Sequence, residues 1–445
     1  MPSFQLKINL FLGAWPLSRG WRSMSPHPIY HLPCLTKVLY FILISSFAIG
    51  CSQKRRVAEN PDLQFFQDVS HHYLPSDKVS LQGATFARVD RIPGSDLIWF
   101  VSVPGDGARI KILFNEGKKG IGRDKGASKV QRVDEAIRFL AKGDVSGNGT
   151  DDLILITSSS KKGSAKVLFN NGKGYFSSRP NVELPFIPES MDRVDLIDVD
   201  QDRDLDLIFT GKKVLTGNGK IDKRQGQVLV NNGEGKFKNV TALLWPMLPA
   251  GIVGTSIADY DRDGLPDVFL MYGNGQNRLL MNNGVGQFVD KTNSLLPRIL
   301  DKSTHADWAD FDQDGDNDLL VINTTINKRY QSYPGETCYF LENDGYGRFR
   351  KTSNRELPAE SAFRVYLLDA NGTGIPDAII LGRKGPHYMV GLGKWNFSVE
   401  TNKRFPETGP IKNMTFGDIN GDGFLDILGV SAGESTPKLW LNRVK

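Results

Sequence analysis

Asp310-Phe-Asp-Gln-Asp-Gly-Asp-Asn-Asp318 sets carboxylates at positions 1, 3, 5 and 9 of a nine-residue loop, with Gly315 at position 6. A hard cation of the Ca2+ kind takes six to eight oxygens at short range, and alternating aspartates in a tight loop can supply them. Glycine at position 6 allows the left-handed backbone that folds such a loop around an ion. The apolar run Leu319-Leu-Val-Ile322 that follows reads as a buried strand. The alternative is an Asx-rich turn closed by its own hydrogen bonds. Four clustered carboxylates weigh against it, because like charges repel unless a cation sits among them.

Loops of the same outline begin at Asp144, Asp198, Asp259, Asp310, Asp369 and Asp418, at spacings of 54, 61, 51, 59 and 49 residues. A worn seventh copy keeps Asp90 and Asp96 but has Arg88 and Ile92 where oxygen ligands belong. A period near 50 residues signals a repeat architecture. It overrides the two or three domains that 445 residues alone would suggest.

The elements around each loop are clearest in the copy at Asp259. Thr255–Ala258 reads as a strand, the loop runs to Asp267, and Val268–Met271 is a second strand. Arg278–Asn282 is a third, Asn283-Gly-Val-Gly286 a tight turn of the kind Asn-Gly favours, and Phe288–Thr292 a fourth. Leu296-Pro297 ends the unit. The turn recurs at Asn170–Gly174, Asn231–Gly235 and Asn343–Gly347, followed by Phe176, Phe237 and Phe349; traces remain at Asn115–Gly117 and Gly391–Gly393. Four short antiparallel strands per repeat make one blade of a β-propeller. Blades cover one another on both faces, so their apolar runs need not alternate.

The last copy stops at Leu439-Trp-Leu-Asn442, a third strand with no fourth. Phe66-Gln-Asp-Val-Ser70, with Leu74-Pro75 behind it, copies the missing strand. The expected fold is therefore all-β: a seven-bladed propeller over residues 62–445, closed by the N-terminal strand so that no edge stays open.

The Asp loop, the apolar strand and the Asn-Asn-Gly-x-Gly-x-Phe turn resemble FG-GAP/VCBS repeats, which occur in the integrin α propeller and in many secreted bacterial proteins. Phe416-Gly-Asp418 carries the Phe-Gly pair itself. The resemblance implies several structural Ca2+ ions, held by side chains at positions 1, 3, 5 and 9 and a carbonyl at position 7. The implied ligand sets are Asp198, Asp200, Asp202 and Asp206; Asp259, Asp261, Asp263 and Asp267; Asp310, Asp312, Asp314 and Asp318; and Asp418, Asn420, Asp422 and Asp426. Two sets are poorer in carboxylates: Asp369, Asn371, Thr373 and Asp377, and Asp144, Ser146, Asn148 and Asp152. Arg203 stands where glycine belongs and predicts backbone strain.

Residues 1–50 read as a signal peptide. Val38–Ile49 is an apolar core after Lys37, too short to span a bilayer comfortably. It ends in Ala48-Ile-Gly-Cys51, which resembles a bacterial lipobox with Cys51 as the lipidation site. Ordinary secretory cleavage before Cys51 and an uncleaved anchor are the alternatives, and Met24 is a candidate start. Residues 51–61 read as a tether. The expected location is the outer membrane or cell surface, with the periplasm or medium as alternatives.

Net charge is +5, and removing residues 1–50 leaves +1, so bulk charge predicts no nucleic-acid partner. With Cys34, Cys51 and Cys338 alone, no disulfide framework is expected, and Cys338 reads as a buried apolar residue. Gly429-Val-Ser-Ala-Gly433 matches a nucleophile elbow but has no downstream histidine and no room for a helix. Asn148-Gly-Thr150 and Asn371-Gly-Thr373 match the glycosylation pattern but lie inside the Asp-type loops.

Strand order places the loops and the Asn-Gly turns on one face. The long insertions Ser158–Lys166, Thr210–Gln227 and Asn323–Thr337 fall on the other. That second face carries Lys212, Lys213, Lys223, Arg224, Lys328, Arg329, Tyr330 and Tyr333, joined by Arg383, Lys384, His387 and Tyr388. It reads either as solvated loops or as a surface for an anionic, glycan or protein partner. The expected function is binding or adhesion. A polysaccharide-processing enzyme and a structural envelope subunit are the rivals, because a propeller also hosts enzymes.

Overall fold

The computed structural model describes residues 65–74, 81–102, 105–116, 121, 128–158, 164–178, 184–214, 220–323, 338–352, 362–406, 408–431 and 437–444. Seven four-stranded antiparallel sheets form a ring. Their first strands are Gly83–Ala87, Ile137–Gly143, Arg193–Ile197, Ile252–Ala258, Ser303–Ala309, Arg364–Leu368 and Ile411–Gly417. We number the blades one to seven in that order. These first strands adjoin one another around the axis. In the fourth blade the remaining strands are Asp267–Tyr272, Arg278–Asn282 and Phe288–Asp290.

The apolar runs become second strands enclosed on both faces. Asp152–Thr157, Asp267–Tyr272, Asp318–Asn323 and Asp377–Gly382 are buried along their whole length. Seven apolar clusters result, each built from two neighbouring blades. The core is thus a cycle of interfaces with no single centre, as expected for units that cannot bury both faces alone.

Phe66–Asp68 pairs antiparallel with the third strand of the seventh blade, Phe66 opposite Asn442 and Asp68 opposite Trp440. The fourth strands end earlier than their sequence pattern suggests: in blade four the strand is Phe288–Asp290 and stops short of Thr292. After the strand the chain turns into a four-residue helix at Ser70–Tyr73, Thr241–Leu244, Thr292–Leu295 and Thr401–Arg404. The first residue of each helix uses its hydroxyl to accept a third-strand N–H: Leu439 to Ser70 at 2.9 Å, Val228 to Thr241 at 2.9 Å, Leu279 to Thr292 at 3.0 Å and Tyr388 to Thr401 at 2.9 Å. The N-terminal segment therefore reproduces the blade motif down to one side-chain bond.

A second bond recurs around the ring. The asparagine that opens each Asn-Gly turn donates its amide to a carbonyl of the preceding blade. Asn115 reaches Ile419, Asn170 reaches Val89, Asn231 reaches Val145, Asn282 reaches Val199, Asn343 reaches Tyr260 and Asn442 reaches Ala370, at 2.6–2.9 Å. Blade six has Gly391 at this place, and Trp395 N donates to Phe311 O at 3.1 Å instead. The turn signal thus also encoded an inter-blade staple. Asn282→Ala would orphan the Val199 carbonyl, at about 1–3 kcal/mol for a buried group left unsatisfied. A urea melt should show that loss, and a variant as stable as the parent would refute the staple.

Among the described residues, no helix is long and apolar enough to cross a membrane.

Candidate metal centres

Each loop is shaped by its own first and last aspartate. The position-1 carboxylate accepts the N–H of position 6 through Oδ2: Gly149 at 2.6 Å, Arg203 at 3.0 Å, Gly264 at 2.9 Å, Gly315 at 3.0 Å, Gly374 at 2.7 Å and Gly423 at 2.9 Å. Position 6 is left-handed throughout, and Arg203 adopts φ 78°, the strain its sequence position predicted. Position 4 is left-handed as well. Gln201, Arg262 and Gln313 carry φ of 63°, 63° and 67° there, where the other loops have glycine. In these three loops residue type gives no sign of this second kink.

The position-9 aspartate is buried in every blade. Its Oδ2 accepts the N–H of position 2, and its Oδ1 accepts a third-strand N–H; for Asp206 these are Val199 at 2.9 Å and Asn231 at 2.8 Å. The worn loop keeps this bond pair through Asp96, with Val89 at 2.9 Å and Asn115 at 2.7 Å. Position 9 is therefore structural before it is a ligand, which explains why it survives where the other oxygens are gone.

Three loops gather carboxylate oxygens within 4.8 Å of one another: Asp198, Asp200 and Asp206; Asp259, Asp261 and Asp263; and Asp310, Asp312 and Asp318. Asp202, Asp267 and Asp314 stand in the same loops but outside those groups. Asp198 Oδ1, Asp200 Oδ1 and Asp259 Oδ1 are buried with no hydrogen-bond partner among the described residues. A buried acceptor without a donor is costly, and a cation in each of these two loops would remove that cost. The residues present therefore fit a hard divalent cation in these loops, where its chemistry would be charge neutralisation.

The other loops are closed by their own bonds. In blade two, Thr150 Oγ1 donates to Asn148 Oδ1 at 2.6 Å and Asn148 N to Asp144 Oδ1 at 3.0 Å. In blade six, Thr373 Oγ1 donates to Asn371 Oδ1 at 2.7 Å, and Tyr388 Oη to Asp377 Oδ2 at 2.6 Å. In blade seven, Asn420 Nδ2 donates to Asp422 Oδ2 at 3.0 Å, so it offers this neighbour a donor. Among the described residues these three loops form no group of three acidic ligands. Ser146 Oγ in blade two and Asn371 Nδ2 in blade six are nonetheless buried without partners.

Burial, and then neighbouring carboxylates, pushes Asp206, Asp267 and Asp318 up to about 8. Asp377 and Asp426 are pushed to about 7 and Asp152 to about 6, again chiefly by burial. The strongest shifts fall in the three carboxylate-rich loops.

On the opposite face, Lys212, Lys213, Lys223, Arg383 and Lys384 are exposed, while Arg224 and His387 are half-buried. Tyr388 does not belong to that surface. It is fully buried between blades six and seven, where its hydroxyl satisfies Asp377. Cys338 is half-buried, since it opens an edge-near third strand beside the fifth-to-sixth interface. Lys328, Arg329, Tyr330, Tyr333 and Cys51 lie outside the described residues. Gly429–Ser431 is the end of the second strand Asp426–Ser431, paired with the first strand up to Ser431, and makes no elbow.

The axis carries polar side chains that no sequence motif announces. Arg193, Asp195, His305, Asp307, Arg364, Tyr366 and Asn413 all lie on first strands. The signal was present as Arg193-Val-Asp195, His305-Ala-Asp307 and Arg364-Val-Tyr366, polar residues alternating with apolar ones. Only the ring brings these three strands together.

FG-GAP-like repeats match residues 144–209, 214–270, 259–321 and 369–429. No curated protein matches the chain. Among solved structures, BBS1N in complex with ARL6DN is similar at TM-score 0.51 and 11% identity, covering 85% of this chain and 97% of that one. An Agrocybe aegerita lectin specific for non-reducing terminal N-acetylglucosamine is similar at TM-score 0.47 and 19% identity, covering 72% and 79%. The Neurospora crassa Pan2 WD40 domain follows at 0.44 and 12%, covering 82% and 90%. At such identities the likeness concerns the fold alone.

Proposed function

The chain belongs to the FG-GAP-like repeat family, and from that premise we propose that it is an exported, calcium-stabilised propeller acting as an interaction module at the cell surface. The observation that carries the reading is the set of grouped carboxylates in blades three to five, with buried, unpartnered oxygens in blades three and four. Oxygen-only ligands in a flexible loop suit Ca2+ better than Mg2+, which demands stricter octahedral geometry. Under this reading the ions stiffen the loops of one face. The opposite face, with its exposed lysines and arginines, engages a glycan or protein partner. The module works by binding and not by turnover, and an N-terminal lipid on Cys51 tethers it to the membrane.

The test is a glycan and envelope-protein binding screen with and without Ca2+, run alongside assays for polysaccharide cleavage. Calcium-dependent capture without cleavage is the expected result. Cleavage of any bound polysaccharide would favour the enzyme instead. Mass spectrometry of the N-terminal peptide should find lipid on Cys51; an unmodified Cys51 would remove the anchor from the proposal.

A further inference from the structure

Two levels of polar side chains line the axis. Arg193, His305, Arg364 and Asn413 share one register, four residues before the end of their first strands. Asp195, Asp307, Tyr366 and Thr415 stand two residues further along, toward the metal loops. The first level therefore lies nearer the face that carries the basic insertions.

The deeper level is internally satisfied. Asp195 Oδ2 accepts from Thr255 Oγ1 at 2.5 Å. Asp307 accepts the N–H groups of Trp308 at 3.0 Å and Leu367 at 3.4 Å. Tyr366 Oη donates to Asn413 Oδ1 at 2.6 Å and accepts from Met414 N at 2.9 Å.

The first level is not. Arg364 uses one guanidinium nitrogen, Nη1, for both its bonds, to Asn413 Oδ1 at 2.6 Å and to the Tyr366 hydroxyl at 3.3 Å. Among the described residues, Arg193 donates no hydrogen bond and closes no ion pair, although Asp195 offsets part of its charge. His305 Nδ1 is buried with no hydrogen-bond partner among the described residues. The three groups feel one another: burial first, and then Arg364 and Arg193, hold His305 well below its ordinary value. Burial and Arg364 likewise hold Arg193 down, against the pull of Asp195. Guanidinium groups from blades three and six thus stand at one level of the axis, and a spare imidazole nitrogen from blade five stands at the same level.

We propose that this level is an oxyanion site, in which Arg193 and Arg364 clamp a carboxylate or phosphate group and His305 Nδ1 supplies a further hydrogen bond. The planar fork of arginine matches such groups in two-pronged fashion. An anion would repay the burial of Arg193 and supply the partner that His305 lacks. Asp195 and Asp307 below would stop it from passing deeper. Lys212 and Lys213 of blade three and Arg383 and Lys384 of blade six, exposed on the same face, would steer it toward the mouth. The inference deepens the reading of that face and rests on it only for the partner that presents the anion. Small free probes test the site itself, so a failed partner screen leaves it standing, and its own failure leaves the screen intact.

The experiment is calorimetric titration of the full protein, without added Ca2+ and at constant ionic strength, with D-glucuronate, glucose 6-phosphate, acetate and glucose. Saturable binding of the anions and none of glucose is expected. Acetate as good as glucuronate marks a site for free anions; tighter glucuronate marks a sugar-borne one. Arg193→Gln should weaken binding about tenfold or more, the scale of one charged hydrogen bond. It should not lower the melting temperature of the ligand-free protein, since Arg193 makes no bond to lose. Lys173→Gln, exposed in an Asn-Gly turn on the metal-loop face, should leave affinity within about twofold. Should Arg193→Gln misfold, Arg193→Lys takes its place, keeping the charge and losing the fork, with weakened binding again expected. No saturable anion binding, or unchanged affinity in the Arg193 variants, would overturn the proposal.

Discussion

A chain beginning at Leu81 should aggregate or melt far below one beginning at Ser52, although both carry every Asp loop. The segment from Phe65 to Leu74 buries Phe65, Phe66, Val69 and Leu74. At ~1.5–3 kcal/mol for each large apolar side chain, these four amount to ~6–12 kcal/mol. That matches the ~5–15 kcal/mol net stability of a typical domain. Phe66 packs edge-on to Tyr388 at 5.9 Å and lies 5.3 Å from Phe405, so the loss reaches the sixth blade. The backbone would lose Phe65 N to Arg404 O at 3.0 Å, Arg443 N to Phe65 O at 2.7 Å and Val69 N to Leu439 O at 2.9 Å. The third strand of blade seven would then present an open edge. Thermal melts and size-exclusion chromatography of the two chains decide the matter. Equal melting and two monomers would mean that the N-terminal strand does not close the ring. Phe66→Ala in the longer chain gives a milder version, at ~3–5 kcal/mol for a buried Phe emptied to Ala.

Removing Ca2+ should destabilise the protein, and more so at alkaline than at acid pH. Asp206, Asp267 and Asp318 rise from 3.8 to about 8, because burial and like charges penalise their ionised forms. A carboxyl raised in the folded state binds a proton there that the unfolded chain has already lost. Its contribution is fully present below the unfolded value and is lost as pH climbs through the folded one. In chelator, the melting temperature should therefore fall between about pH 4 and about pH 8. Millimolar Ca2+, in the range of extracellular sites at ~10^-4–10^-3 M, should remove most of that slope by displacing the protons. Melting curves across this window with Ca2+ and with chelator are the check. Superimposable curves would show that the three loops hold no calcium.

The architecture was legible because a propeller is written locally. The period of the Asp loops, the Asn-Gly turns and the apolar second strands each reflect contacts within one blade or with the next. A repeat that must bury both faces against its neighbours states the same requirement seven times. The closing strand was legible for the same reason, since Phe66-Gln-Asp-Val-Ser70 copies a pattern visible elsewhere in the chain. The candidate metal loops were readable as residue types, because the ligand spacing lies within nine consecutive residues.

Three things needed the tertiary structure. Loops with similar spacing divide into those that gather carboxylates and those that close on themselves. That depends on which side-chain donors lie nearby, such as Tyr388 beside Asp377 and Thr150 beside Asn148. Tyr388 looked like a surface residue beside Arg383 and Lys384, but strand pairing turned it into the interface, since neighbouring strand residues face opposite ways. Arg193, His305 and Arg364 are separated by 112 and 59 residues, and no local signal joins them. Sequence determined the blade, because its contacts are short-range and repeated. Only ring closure decided the axis, where one strand from each blade meets the others and the repeats are free to differ.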